Sequence, residues 1–200
     1  MTTIISGTAG VTFPAGGLGN PAGAVVGTTD TQTLTNKTLS TGLVMGVSAI
    51  TSGTAVASTS GTSIDFTSIP TWVKRITVMF NGVSTNGTSI PQIQIGAGSI
   101  DATSYSGSAW LANTNNTAMS TGFLITAVGA ATYTYSGIIT LAFMGSNIWV
   151  MSAVLGHTET ASINFSAGSK TLSGTLDRVR ITTVNGTDTF DAGSINILYE

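Results

Sequence analysis

One histidine and eight carboxylates are the side chains of this 200-residue chain best suited to moving a proton near neutral pH. A Ser-His-Asp arrangement would have to use His157, and no Gly-x-Ser-x-Gly elbow leads into a helical pattern. The setting Gly156-His157-Thr158-Glu159-Thr160 reads as a turn between two strands, with the imidazole in solvent. Glycoside hydrolysis needs two opposed carboxyls. Of Asp30, Asp65, Asp101, Glu159, Asp177, Asp188, Asp191 and Glu200, only Asp188 and Asp191 stand close together, and turn chemistry accounts for both. His157 with Glu159, or Asp188 with Asp191, falls short of the oxygen set that a hard cation needs. There is no cysteine, hence no thiolate site or disulfide. The reading assigns no catalytic, cofactor-binding or metal-binding residue and expects no enzyme.

The aromatic residues offer a different chemistry. Flat apolar rings suit the C–H face of a sugar, and neighbouring amides and hydroxyls can select its hydroxyls. Trp72 follows a proline before an apolar strand, and Trp149 lies within Ile148-Trp149-Val150, so both are expected in the core. Trp110 borders the polar loop Asn113-Thr114-Asn115-Asn116-Thr117. The candidate glycan-binding set is therefore Tyr105, Trp110, Asn113, Asn115 and Asn116.

Composition supports a surface that works through hydroxyls rather than ions. Charged residues make up 7% of the chain, against a usual level of about 25%. A hydrophobic fraction of 42% is still enough for a core. With a net charge of −2 and six scattered basic residues, no patch converges to neutralise phosphates, so nucleic acid is not an expected partner. Met1-Thr2-Thr3-Ile4-Ile5-Ser6 lacks the basic and apolar regions of a secretory signal, which suits a protein made in the cytoplasm. Phe123 to Met144 is apolar, but Thr132-Tyr133-Thr134-Tyr135-Ser136-Gly137 is rich in β-formers and basic flanks are missing. Two buried strands explain it better than a membrane helix.

The elements that must position these residues are strands. Val73 to Val83 alternates, with Val73, Ile76, Val78 and Phe80 partly on one face and Arg75, Thr77, Met79 and Asn81 on the other. Asn86-Gly87 is expected to supply the positive φ angles of a tight hairpin. Further strands are expected at Gly53 to Ala57, Thr62 to Phe66, around Ile93 and Ile95, Thr103 to Leu111 and Gly122 to Val128. Later ones are Tyr133 to Phe143, Asn147 to Leu155, Ala161 to Phe165, Leu176 to Val184 and Ser194 to Tyr199. About ten short strands without a helical period describe an all-β chain, an antiparallel sandwich of jelly-roll type over residues 48–200. Residues 1–47 carry only Asp30 and Lys37 as charges and include Gly16-Gly17-Leu18-Gly19-Asn20-Pro21-Ala22-Gly23, so they read as an extended arm.

Three blocks carry a likeness to known proteins. They are Gly10-Val11-Thr12-Phe13-Pro14, the linker Asp30-Thr31-Gln32-Thr33-Leu34-Thr35-Asn36-Lys37-Thr38-Leu39, and the head block. The head block starts at Gly53-Thr54-Ala55-Val56-Ala57-Ser58, runs through Ile69 to Val83, and closes at Ala192-Gly193-Ser194-Ile195-Asn196-Ile197-Leu198-Tyr199-Glu200. In these blocks the chain resembles bacteriophage tail-fibre, head-fibre and capsid-decoration proteins. The resemblance implies a homotrimeric virion protein whose arm contacts other capsid or tail proteins, with Phe13, Pro14, Thr31, Thr33, Leu34, Thr35 and Leu39 as candidate anchoring residues. It implies an outward C-terminal domain exposed on the particle surface, and the aromatic residues above point to a host glycan as what that domain meets. A cement protein without a receptor and a polysaccharide-degrading tailspike are the alternatives. The chain is short for a long tail fibre, having room for an arm and a head but no extended shaft.

Overall fold

In the computed structural model, residues 4–6, 10–12, 50–112, 115–159 and 162–200 are described. The chain divides into two compact units, Met1–Gly46 and Val47–Glu200. Within the first, β1 (Ile4–Ser6) and β2 (Gly10–Thr12) pair as an antiparallel hairpin, Ile5 opposite Val11. The anchoring candidates Phe13, Pro14, Thr31, Thr33, Leu34, Thr35 and Leu39 lie outside the described residues.

The second unit is an all-β antiparallel sandwich. Its larger sheet holds β3 (Thr51–Ser52), β4 (Val56–Ala57), β6 (Arg75–Thr85), β9 (Ser106–Leu111) and β10 (Asn115–Ala118), together with β12 (Tyr135–Gly145), β13 (Ile148–His157), β14 (Ser162–Thr171) and β16 (Phe190–Tyr199). The order across it is β10-β9-β14-β13-β12-β6-β16-β3, with β4 also on β16. The smaller sheet runs β11 (Phe123–Leu124), β7 (Pro91–Ala97), β15 (Arg178–Thr183) and β5 (Ser63–Phe66), with β8 (Ser99–Asp101) on β7.

Alternation along the strands builds the core. In β13, Trp149, Met151, Ala153 and Leu155 point inward, while Val150, Ser152 and Val154 point out. Ile76, Val78 and Phe80 of β6 and Ile139 and Leu141 of β12 complete one wall. Ile93, Ile95, Val179, Ile181, Ile64 and Phe66 of the smaller sheet form the other. Side chains two apart share a face of a strand, so each strand contributes one apolar row to a common interior.

Several local readings are corrected. Asn86-Gly87 makes no hairpin, because β6 and β7 belong to different sheets and Gly87 is not among the glycines at positive φ. Its glycine serves close approach instead: a Cβ there would lie 2.0 Å from Asp188 Oδ2. The tight hairpin is β12–β13, where Ser146 (φ 49°) and Asn147 (φ 60°) provide the left-handed pair. Gly122 to Val128 forms a strand only at Phe123–Leu124, although the Ile125 N–H donates to the Pro91 carbonyl and Ile125 and Ala127 are also buried. Gly53 to Ala57 forms a strand only at Val56–Ala57, beside the short β3, while the Gly53 N–H donates to the Ile197 carbonyl at 2.8 Å. Asn115 to Thr117, read as loop, belongs to edge strand β10. No helix among the described residues is long and apolar enough to cross a membrane.

Candidate binding face

The expected glycan set does not assemble as one site. Tyr105 is buried, packed edge-to-face on Phe123 at 4.8 Å between ring centroids. Its hydroxyl accepts from Ile95 N–H at 2.8 Å and donates to Asp101 C=O at 2.8 Å. Burial pushes the phenol well above its ordinary pKa. Tyr105 is thus a core pin rather than a sugar platform. The reason is strand parity: Tyr105, Ala109 and Leu111 share the inward side, and Ser106, Ser108 and Trp110 the outward side. Asn113 lies outside the described residues, and Asn115 stands opposite Leu111 on β10.

Trp110 and Asn116 do come together, as cross-strand partners on the outward face of the larger sheet. Trp110 lies beside Phe165, ring centroids 5.8 Å apart and planes 26° from parallel. Sequence reasoning missed Phe165, because β14 turns its apolar side outward and places Asn164, Ser166 and Lys170 inside. The register continues the row: Trp110 faces Phe165, Phe165 faces Val154, Val154 faces Ile138, and Ile138 faces Met79. Exposure is 46% at Trp110, 42% at Phe165, 53% at Val154 and 54% at Ile138. With neighbouring strands about 4.8 Å apart, this ridge runs about 19 Å across the strands.

A second row lies two residues away along each strand. Ser108 faces Ala167, Ala167 faces Ser152, Ser152 faces Thr140, and Thr140 faces Thr77. These small side chains form a trough beside the ridge. A shallow hollow of about 430 Å³, lined by Gly137, Ile138, Thr140, Ser152 and Val154, opens where the two rows meet. Gly137 is required there: its φ is +152°, and a Cβ would come within 2.4 Å of the Val154 carbonyl oxygen. The outward positions of β9, β14, β13 and β12 carry no charge. Arg75, at the near end of β6, is paired with Glu200.

The other candidates for chemistry are structurally engaged. His157 is buried, not solvent-facing, and stacks on Tyr133 at 4.2 Å. Burial holds its pKa below the ordinary value, against the opposing pull of Glu159. Glu159 accepts from the Thr134 N–H and from the hydroxyls of Thr134 and Thr158. Burial opposes its ionisation, yet those hydrogen bonds bring its pKa to about 2. Asp188 accepts from Ser89 N–H and the Asn185 amide, while Asp191 accepts from the Ser84 hydroxyl. Among the described residues, no three His, Asp or Glu side chains converge to hold a metal ion. Trp149 is in the core as expected, but Trp72 is exposed and tilts against Tyr199 at 6.0 Å.

Fold and face together define an antiparallel β-sandwich whose larger sheet presents an apolar ridge, uncharged across β9, β14, β13 and β12. No family model, curated protein or solved structure matches the chain.

Proposed function

We propose that this chain is a structural bacteriophage virion protein: a short trimeric fibre or spike, without enzymatic activity. In this reading, residues 1–47 fix it to the particle and residues 48–200 meet the host surface. The likeness of the linker and head block to fibre and decoration proteins supports the virion assignment. The observation that carries the adhesive role is the exposed Trp110–Phe165 pair beside Asn116, where the outward positions of β9, β14, β13 and β12 carry no charge. Paired aromatic rings bind the apolar side of a sugar, and an adjacent amide reads its hydroxyls. Modest single-site affinity becomes strong attachment when several copies engage one cell.

Two measurements test it. A C-terminal tag on the full chain is expected to decorate whole particles in electron micrographs, and particles that never carry the tag refute the virion assignment. Full-length protein is expected to bind host cells, with Trp110→Ala weakening binding about tenfold, the usual loss on truncating a central aromatic contact. Cell binding unchanged by that substitution refutes the adhesive role of the pair.

A further inference from the structure

We infer that the trough and ridge across β9, β14, β13, β12 and β6 form an extended groove for an uncharged, unbranched polysaccharide lying perpendicular to the strands. This rests on the adhesive reading above and specifies its ligand. The first observation is the inverted strand. β14 exposes Ile163 and Phe165 while burying Asn164, Ser166 and Lys170. Asn164 Oδ1 and Ser166 Oγ find no hydrogen-bond partner among the described residues. A slip of one residue would bury the apolar side and hydrate the polar one. The sheet instead holds Phe165 outward, in line with Trp110 and Val154.

The second observation is the chemistry of the trough. The hydroxyls of Ser108, Ser152, Thr140 and Thr77 stand in one row, about 6.8 Å from the ridge along the strands. Among the described residues none of these four side chains has a hydrogen-bond partner, which leaves donors and acceptors for a ligand along the groove. A pyranose chain has the matching surface, with apolar C–H faces flanked by hydroxyls. The absence of charge on these outward positions selects a neutral polymer, because an anionic one would gain no cation in exchange for its lost hydration. Length is the second selector: each sugar unit added along the groove gains contact until the ridge, about 19 Å long, is covered.

The test uses the full chain and defined mono- to hexasaccharides of the cello-, malto- and chito- series, with oligogalacturonates as the anionic comparison. Binding is followed by calorimetry and by the indole resonance of Trp110. At least one neutral series is expected to bind with affinity that rises with length and then levels, and to be insensitive to salt. Ser152→Leu, which fills the trough from an exposed position, should erase the gain with length while leaving monosaccharide binding in place. Trp110→Ala should weaken every length about tenfold. Equal affinity at all lengths, with Ser152→Leu inert, overturns the groove and leaves adhesion at Trp110 standing. Preference for oligogalacturonates, or no binding by any neutral series, also overturns it. Self-association abolished by Ile138→Glu, without glycan binding, assigns the face to a second copy of the chain. Retained loss of cell binding in Trp110→Ala then shows whether the adhesive reading survives on its own.

Discussion

Removing Asp101 should damage the fold more than removing its partner Lys170. The two meet at 2.6 Å, but their surroundings differ: 3% of the Lys170 side chain is exposed, against 31% for Asp101. Lys170 Nζ also donates to the Thr103 carbonyl at 2.7 Å and lies 5.2 Å from the centre of the Tyr105 ring. Asp101→Asn leaves a buried ammonium without a counter-ion, a change that costs about 3–5 kcal/mol. In Lys170→Met the stem is replaced at similar volume. The carboxylate left behind keeps water and its bonds from Thr103 N–H and hydroxyl. That loss is about 1–2 kcal/mol, mainly the unpaired Thr103 carbonyl.

Urea unfolding of the two variants, followed by tryptophan fluorescence and circular dichroism, should therefore separate them by about 2 kcal/mol. The double variant should lie near Lys170→Met, because the stranded charge is gone. The knot also shapes the acid response. Burial works against ionisation of Asp101, yet hydrogen bonds from Lys170 and Thr103 hold its pKa below the usual value. A depressed folded pKa means stability that is present above the unfolded value and lost as pH falls through the folded one. Asp101→Asn should flatten that acid limb. Equal losses, or a larger loss from Lys170→Met, would sink the claim that desolvation of the lysine dominates this corner.

Three further outcomes can be checked on the same footing. Gly137→Ala should cost more than Gly98→Ala in thermal unfolding: both sit at positive φ, but a Cβ at Gly137 strikes the Val154 carbonyl and one at Gly98 meets nothing within 4 Å. Strain alone at Gly98 is about 1–2 kcal/mol, and equal losses would count against glycine being required at position 137. Ser166→Ala should be neutral or stabilising by up to about 1 kcal/mol in urea titrations, since its hydroxyl has no partner among the described residues, and a clear destabilisation would refute this. Besides the Asp101 limb, acid should lower the urea midpoint in two windows. The first opens below about pH 6.5, as unfolding lets His157 take up a proton; the second runs from the ordinary 4.5 of Glu159 down toward 2. His157→Phe should remove the first window, and a wild-type midpoint flat between about pH 7 and 5 would contradict it.

The sandwich was legible wherever burial and alternation agree. β6 places large apolar side chains at every second position, so its inward face could be read directly, as could the core position of Trp149. Where a residue serves a partner distant in sequence, the letters mislead. Gly87 looks like half of a hairpin turn, but its small size answers to Asp188, a contact visible only once the two loops meet. His157 looks like a turn residue because Gly156 and Thr158 flank it, yet it is the last residue of β13 and its ring stacks on Tyr133. Tyr105 was readable and missed: the same parity that exposes Trp110 buries a residue five positions earlier.

β14 is the harder case, and it bears on function. Ile163-Asn164-Phe165-Ser166 alternates as cleanly as any strand here, and a rule that buries the apolar side puts Phe165 in the core. Cross-strand register decides otherwise. Phe165 stands opposite both Trp110 and Val154, whose outward positions are set by their own strands, so it cannot turn inward without breaking two ladders. Apolar side chains kept at the surface, beside polar atoms kept in the interior, oppose the usual gradient of burial. Sequences that break a local rule at one place tend to do so where function asks for it. The ridge through Phe165 is where this chain breaks the rule most plainly, and the Ser152→Leu and Trp110→Ala substitutions aim at that face for this reason.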